Sequence, residues 1–184
     1  KDIRNFCKVV GMKIVESPGF EADDVIASFV KRTHPDLRIE IASGDKDFYQ
    51  LVKDPRVFVW HPVRERLLDE KAVEEIFGVP PNQVRDVLSL MGDSSDNVAG
   101  IRGIGEKTAK TLIRQYGSLK ALYEGLGTLR SARQRELLIE GRDAAFRSRR
   151  LVGMSIDAEI GTWSGVESVI EAFDARKIGK NREK

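Results

Sequence analysis

The chain has 184 residues, of which 41% are hydrophobic and 33% charged, and a formal net charge of +2. This is an ordinary globular composition, enough for one good core or a core with a helical appendage. No apolar run approaches the roughly 20 residues of a membrane span. Cys7 is the only cysteine, which excludes an internal disulfide and suits a reducing compartment.

The charge is unevenly placed. Residues 1–96 carry 14 Lys and Arg against 18 Asp and Glu, a net of −4, whereas residues 97–150 carry 12 against 5, a net of +7. A basic stretch after an acidic one fits an anionic polymer held by one part and acted on by the other. Solvated helix faces explain the same counts equally well.

The opening KDIRNFC has no Met, shows no signal-peptide pattern and is already helical in spacing. We therefore expect the chain to begin within a longer protein. Ile3, Phe6, Cys7 and Val10 share one helix side, and Gly11 ends it. Met12 to Val15 is a strand candidate, and Ser17-Pro18-Gly19 a turn. Phe20 to Lys31 reads as an amphipathic helix with Val25, Ile26, Phe29 and Val30 inward. Its start carries Glu21, Asp23 and Asp24. Acids there favour the helix dipole, but three within four residues beside an apolar face favour a site.

Leu37 to Ala42 alternates as a strand, and Ser43-Gly44-Asp45-Lys46-Asp47 leads from it into the helical FYQLV. Sites in α/β folds form where strands end and loops enter helices, although capping accounts for either aspartate alone. Val57 to Trp60 and Glu65 to Leu68 form a hairpin around His61-Pro62-Val63. His61 and Trp60 are read as structural, and His34 as a surface residue. Asp69 caps a helix to Phe77, and Gly78 closes it. Pro80-Pro81 opens the next, through Leu90, with Val84, Val87, Leu88 and Met91 at helical spacing. The three methionines are read as core filler. Helices are then expected over Thr108 to Tyr116, after Gly117-Ser118, over Leu129 to Ile139, and over Asp143 to Leu151 with its basic run Arg147-Ser148-Arg149-Arg150. A strand near Ile156, a helix over Val166 to Phe173 and a frayed basic tail from Lys177 to Lys184 complete the reading.

Two features carry chemistry. The acids at strand ends and helix starts are Glu21, Asp23, Asp24, Asp45, Asp47, Asp93 and Asp96. Brought together, they would repel one another and their pKa values would rise. Divalent cations relieve that, and oxygen donors without a Cys or His cluster point to Mg²⁺ or Mn²⁺ rather than zinc. Two such ions about 4 Å apart suit phosphodiester hydrolysis.

The second feature is Gly100-Ile-Arg-Gly-Ile-Gly105, running into Glu106-Lys107-Thr108. A dinucleotide fingerprint fails because no strand precedes it and Thr108 takes the third glycine position. A Walker A loop fails because Lys107 is out of register. A helix-hairpin-helix fits better. Gly100, Gly103 and Gly105 let the backbone approach a phosphate, the free N–H groups at the helix start bind it, and Lys107, Thr108 and Lys110 add contacts. Such binding ignores base identity.

GFEADD (19–24), SGDKDF (43–48), GDSSDN (92–97) and GIRGIGEKTA (100–109), in this order and spacing, resemble the structure-specific 5′-nuclease (flap endonuclease) family, and within it the 5′→3′ exonuclease domain of bacterial DNA polymerase I and its free-standing relatives. The likeness covers nearly the whole chain, fading after about Ser155. It implies a PIN-like α/β core over residues 1–78, followed by a helical helix-hairpin-helix DNA-binding domain over 79–184. It also implies two Mg²⁺ ions and hydrolysis at 5′ ends and flaps of duplex DNA. By motif match the seven acids would be metal ligands, with Asp23, Asp45 and Asp93 the catalytic ones. Gly100 to Thr108 would grip the duplex backbone, with a K⁺ ion on its carbonyls. The implied setting is a monomer in the bacterial cytoplasm, associated with the nucleoid, with a fused or separate DNA polymerase as partner.

The family's first metal-binding Asp on an opening strand, a second such Asp and a basic helical arch have no counterpart after Lys1, and Ala99 stands where many relatives have Pro. We expect either a fragment of a complete nuclease or a truncated gene. The competing reading is a non-catalytic duplex-DNA-binding module, though such a module has no use for seven acids. A PIN-type ribonuclease is disfavoured by the duplex-gripping hairpin.

Overall fold

The computed structural model describes residues 2–160, in two compact units. The expected helix over 166–173 and the tail from Lys177 lie outside the described residues. One unit holds the chain up to Arg38 and takes it up again from Ser155; the other runs from Ile39 to Met154. Among the described residues, no helix is long and apolar enough to cross a membrane.

In the first unit, α1 (Asp2–Val9) ends at Gly11, whose φ of 78° is left-handed. The Met12 N–H reaches back to the Cys7 carbonyl at 2.8 Å, and the Gly11 N–H to Lys8 at 3.2 Å, a Schellman closure. The expected strand over Met12 to Val15 does not form. Its backbone makes no ladder among the described residues, and Met12 and Ile14 are exposed. Helix α2 (Ala22–Arg32) follows, with Lys31 and Arg32 in its last turn. It buries Val25, Ala27 and Ser28, while Ile26, Phe29 and Val30 are half-buried. The inward face is thus turned slightly from the one expected, because Ser28 accepts the Ala158 N–H at 3.0 Å. Val25, Ala158 and Ile160 form the local core, with Val15 and Phe29 against it. Residues 155–158 bond to side chains rather than to a strand, so no strand forms at Ile156.

The second unit carries a three-stranded sheet. β1 (Ile39–Ala42) pairs in parallel with β2 (Val57–His61), Ile39 opposite Val57, and β2 pairs antiparallel with β3 (Arg66–Leu68), Val59 opposite Leu68. A 3-10 helix (Lys46–Leu51) forms the crossover. α3 (Glu70–Phe77) is capped by Asp69, whose carboxylate accepts the Ala72 N–H at 2.7 Å, and stops at left-handed Gly78. α4 (Pro81–Met91) opens on proline and is the hub of the helical part, packing on α5 (Glu106–Tyr116), on α8 (Arg142–Leu151) and on the 3-10 helix. Val84, Val87, Leu88 and Leu90 of α4 are fully buried.

α5 opens at Glu106, where the glycine stretch was read as running into a helix. α6 (Leu119–Glu124) begins at the Ser118 cap. α7 (Ala132–Glu140) begins three residues later than expected, because the Ser131 hydroxyl caps it by accepting the Gln134 N–H and leaves Leu129 buried ahead of it. The methionines are not core filler: Met12 is exposed, and Met91 and Met154 are only half-buried. Branched aliphatic residues fill the core instead.

Candidate metal centre and nucleic-acid interface

The loop after β1 and the loop after α4 converge within the second unit. Asp45 caps the 3-10 helix, its Oδ1 accepting the Asp47 N–H at 2.9 Å. This turns the Asp47 side chain inward. On the other side, Asp93 and Val98 bond each other through both backbone pairs, at 2.9 and 2.7 Å, and Asp93 Oδ1 accepts the Ser95 N–H at 3.0 Å. Asp47, Asp93 and Asp96 thereby bring carboxylate oxygens within 4.8 Å of one another. Gly44, Asp45, Lys46, Asp93, Ser95 and Asp96 line the adjoining cleft, of about 290 Å³.

The electrostatics of this cleft are unusual. Asp47 is 8% exposed, and its Oδ1 is buried without a hydrogen-bond donor. Burial, reinforced by repulsion from Asp45, Asp93 and Asp96 and only partly offset by Lys46, pushes its pKa up to about 7. Asp93 is also buried, which alone would raise its pKa, but Lys46 and Ser95 together hold it below the ordinary carboxylate value. Lys46 Nζ lies 2.7 Å from Asp93 Oδ2. Burial alone would lower the lysine's pKa; Asp93, Asp47 and Asp45 raise it overall.

This arrangement fits a hard cation. The donors are all carboxylate oxygens, two of them (Asp47 Oδ1 and Asp93 Oδ2, the latter facing the Lys46 ammonium) are buried without a hydrogen bond, and the nearby acids repel in the cation's absence. Lys46 and Ser95 were not singled out from sequence. The signal available was Lys46 between two aspartates, but its pairing depends on a distant loop.

Glu21, Asp23 and Asp24 stand in the first unit at the start of α2. Glu21 and Asp24 form a capping box, with Asp24 Oδ2 facing the Glu21 N–H at 3.4 Å. Asp24 Oδ1 accepts the Ser155 N–H at 2.6 Å. Asp23 is half-buried.

The glycine hairpin joins α4 to α5. Ile101 and Ile104 are buried anchors, and the Ile101 N–H reaches the Leu90 carbonyl at 2.8 Å. Gly100 has a φ of 61°, and a Cβ there would lie 2.3 Å from the Gly92 nitrogen. Gly92 is itself at a φ of 78°, and a Cβ there would lie 2.6 Å from the Val98 carbonyl oxygen. Both glycines are therefore required by packing. Gly105 is different: its φ is −86°, and a Cβ would meet nothing within 4 Å. It is the N-cap of α5 and offers no side-chain cap, which leaves the first N–H groups of the helix without one. Gly103, Gly105 and Lys107 are exposed, and Thr108 is half-buried. Lys110 is more confined. It pairs with Glu106, and its Nζ sits 4.6 Å from the centre of the Phe77 ring.

Three carboxylates within 4.8 Å of one another, and a glycine hairpin leading from the same loop into a helix start without a side-chain cap, on a mixed sheet and helical scaffold, define a class of acid-lined α/β proteins with a helix-hairpin-helix. The profile described as "5′-3′ exonuclease, N-terminal resolvase-like domain" matches residues 1–78, and that described as "5′-3′ exonuclease, C-terminal SAM fold" matches 79–177. The chain belongs to the 5′-3′ exonuclease family. This bears out the expected PIN-like α/β core followed by a helical domain.

The chain is 38% identical over 156 residues to a thermostable DNA polymerase I of Thermus thermophilus, covering 84% of this chain and 18% of that protein. It is 40% identical over 119 residues to a 5′-3′ exonuclease of Aquifex aeolicus, covering 64% of this chain and 41% of that protein. It superposes on a bacteriophage T5 flap endonuclease, solved with DNA and metal ions, with a TM-score of 0.73 and 26% identity, covering 82% of this chain and 56% of that one. The chain thus spans less than two thirds of each of these proteins.

Proposed function

We propose that the chain is part of a 5′→3′ exonuclease or flap endonuclease that hydrolyses phosphodiester bonds at the 5′ ends of duplex DNA. The observation that carries this is the convergence of the Asp47, Asp93 and Asp96 carboxylates within 4.8 Å of one another, with Asp47 Oδ1 buried and without a hydrogen bond. Asp45, Asp47, Asp93 and Asp96 would hold Mg²⁺ or Mn²⁺, with Asp45 and Asp93 in catalytic roles. Glu21, Asp23 and Asp24 are further metal-binding acids on the motif match, Asp23 among the catalytic ones. When bound, two such ions supply an activated water and stabilisation of the leaving oxygen.

The protein's own groups hold and orient. The Ser95 N–H fixes the Asp93 carboxylate, and the Asp45 cap fixes the turn that carries Asp47. On the hairpin, the N–H groups of α5 and the exposed Lys107 meet a backbone phosphate, with Gly103 and Gly105 allowing close approach and Thr108 and Lys110 flanking it. The K⁺ ion on the hairpin carbonyls, the monomeric state, the polymerase partner and a cytoplasmic, nucleoid-associated setting belong to the same reading. The T5 relative's complex with DNA and metal ions supports the substrate and the ions.

The test is Mg²⁺-dependent cleavage of a 5′-labelled flap duplex by this chain alone and with an N-terminal segment supplied from a relative. Cleavage in either mixture supports the nuclease. Duplex binding without cleavage in both would favour a non-catalytic DNA-binding module.

A further inference from the structure

Lys46 is a cation already present in the acidic cleft. Its Nζ stands 2.7 Å from Asp93 Oδ2, a side chain that is 2% exposed, while the lysine side chain is 34% exposed. Asp45 and Asp47 flank it in sequence, and all three acids raise the stability of its charge. We propose that Lys46 holds the place of a metal ion at Asp93 in the metal-free protein and leaves that carboxylate when the metal arrives. The inference rests on the metal reading given above.

Three features support a displaceable ammonium. First, two positive charges cannot share one carboxylate oxygen at ion-pair distance without strong repulsion. A cation that takes Asp93 Oδ2 must therefore move Lys46. Second, the lysine has somewhere to go. It is a point charge on a flexible four-carbon stem and is already partly in solvent. Third, its departure would not release Asp93, because the Ser95 N–H holds Oδ1 and the paired backbone bonds to Val98 hold the loop. Asp93 Oδ2 and Asp47 Oδ1 are both buried without an oriented hydrogen bond, so the Lys46 ammonium is held at Asp93 as an ion pair, and a cation that displaces it breaks no oriented bond.

The consequence is a built-in exchange. Without metal, Lys46 offsets the mutual repulsion of Asp47, Asp93 and Asp96 and keeps the two loops together. With metal, that role passes to the ion, and the cost of moving the ammonium weakens the apparent cation affinity.

The experiment is Mn²⁺ titration of the metal-free chain by calorimetry at low salt, for wild type, Lys46→Met and Lys46→Arg. Removing the charge while keeping the stem is expected to tighten Mn²⁺ binding by about tenfold, with Lys46→Arg within about twofold of wild type. Equal or weaker binding by Lys46→Met would overturn the inference while leaving the metal reading intact. If none of the three bound Mn²⁺, the metal reading would fail and this inference with it. Should Lys46→Met not fold, Mg²⁺ titration of wild-type protein carrying ¹³C-labelled lysine serves instead. The Lys46 Cε resonance is expected to move to the position of a solvated lysine at saturation; a resonance that stays in place would contradict displacement.

Discussion

Asp86 on α4 carries both of its carboxylate oxygens into fixed partners: Oδ1 lies 2.6 Å from Nε of Arg149 on α8, and Oδ2 accepts the backbone N–H of Leu119 at 2.9 Å. One buried carboxylate thereby ties α4 to α8 and caps the start of α6. The end of α4 delivers Gly92 and Asp93, so this tie sets the frame from which the acidic loop departs. Asp86→Ala would leave the Leu119 N–H unpaired and Arg149 without its partner. We expect a loss of about 2–3 kcal/mol, below the usual range for a fully buried pair because Arg149 is partly solvated. Urea unfolding measures it; a loss under about 0.5 kcal/mol would show that the helices do not depend on this group.

The two kinds of glycine in the hairpin predict opposite phenotypes. Gly100→Ala forces a left-handed residue and a Cβ into backbone atoms that cannot retreat, so the fold should lose at least about 2 kcal/mol. Gly105→Ala meets open space at an ordinary φ. Its melting temperature should match wild type while duplex affinity in EDTA falls. Thermal melts beside fluorescence-anisotropy titrations separate the two; equal melting temperatures for both variants would contradict this.

Lys107 and Lys110 should also part company. Lys107 is exposed, so Lys107→Ala is expected to weaken duplex binding and to flatten its salt dependence by about one counterion. Lys110 is occupied by Glu106 and the Phe77 ring. Lys110→Ala should therefore change the salt slope less and stability more. Binding isotherms at several salt concentrations would decide, and identical slopes for the two variants would refute the distinction.

Protons and divalent cations compete at Asp47. Its folded pKa of about 7 lies above the ordinary 3.8. It therefore contributes stability to the metal-free protein that is fully present below about pH 4 and is lost as pH rises through 7. Cation binding runs the other way. Mn²⁺ affinity should climb as pH rises toward 7, by about tenfold per unit for a single displaced proton, and level off above it. Asp47→Asn should remove that pH dependence and stabilise the metal-free protein at pH 8. Calorimetric titrations from roughly one and a half units below that pKa to one and a half above it, beside urea unfolding of the metal-free protein, test both statements.

Local signals were legible in the sequence wherever a few adjacent residues decide the outcome. The Asp69 cap, left-handed Gly78 and the Pro80-Pro81 start of α4 each act within one helical turn. The order of strand, helical segment and hairpin over residues 37–68 followed from alternation and turn residues, although the helical segment is a 3-10 helix. Spacing alone did not show that Asp47, Asp93 and Asp96 meet, because they come from two loops joined only by packing. What remained illegible depends on distant partners. Met12 to Val15 has strand composition but no ladder among the described residues. Lys46 acquires its meaning from Asp93, Lys110 from Phe77, and Asp86 from Arg149. In each case the sequence shows only a charged residue on a helix or loop. The burial that gives the pair its energy arises from packing between elements 30 or more residues apart, which periodicity does not encode.

On the proposed reading, Asp45, Asp47, Asp93 and Asp96 hold the metal of a 5′ nuclease while the hairpin holds the DNA. Its most direct test is cleavage of a 5′-labelled flap duplex in Mg²⁺ by the chain fused to an N-terminal segment from a relative, comparing wild type with Asp45→Ala and Asp93→Ala, beside duplex binding in EDTA. We predict that both substitutions abolish cleavage and leave binding in EDTA nearly unchanged. Cleavage at the wild-type rate by either variant would contradict the assignment.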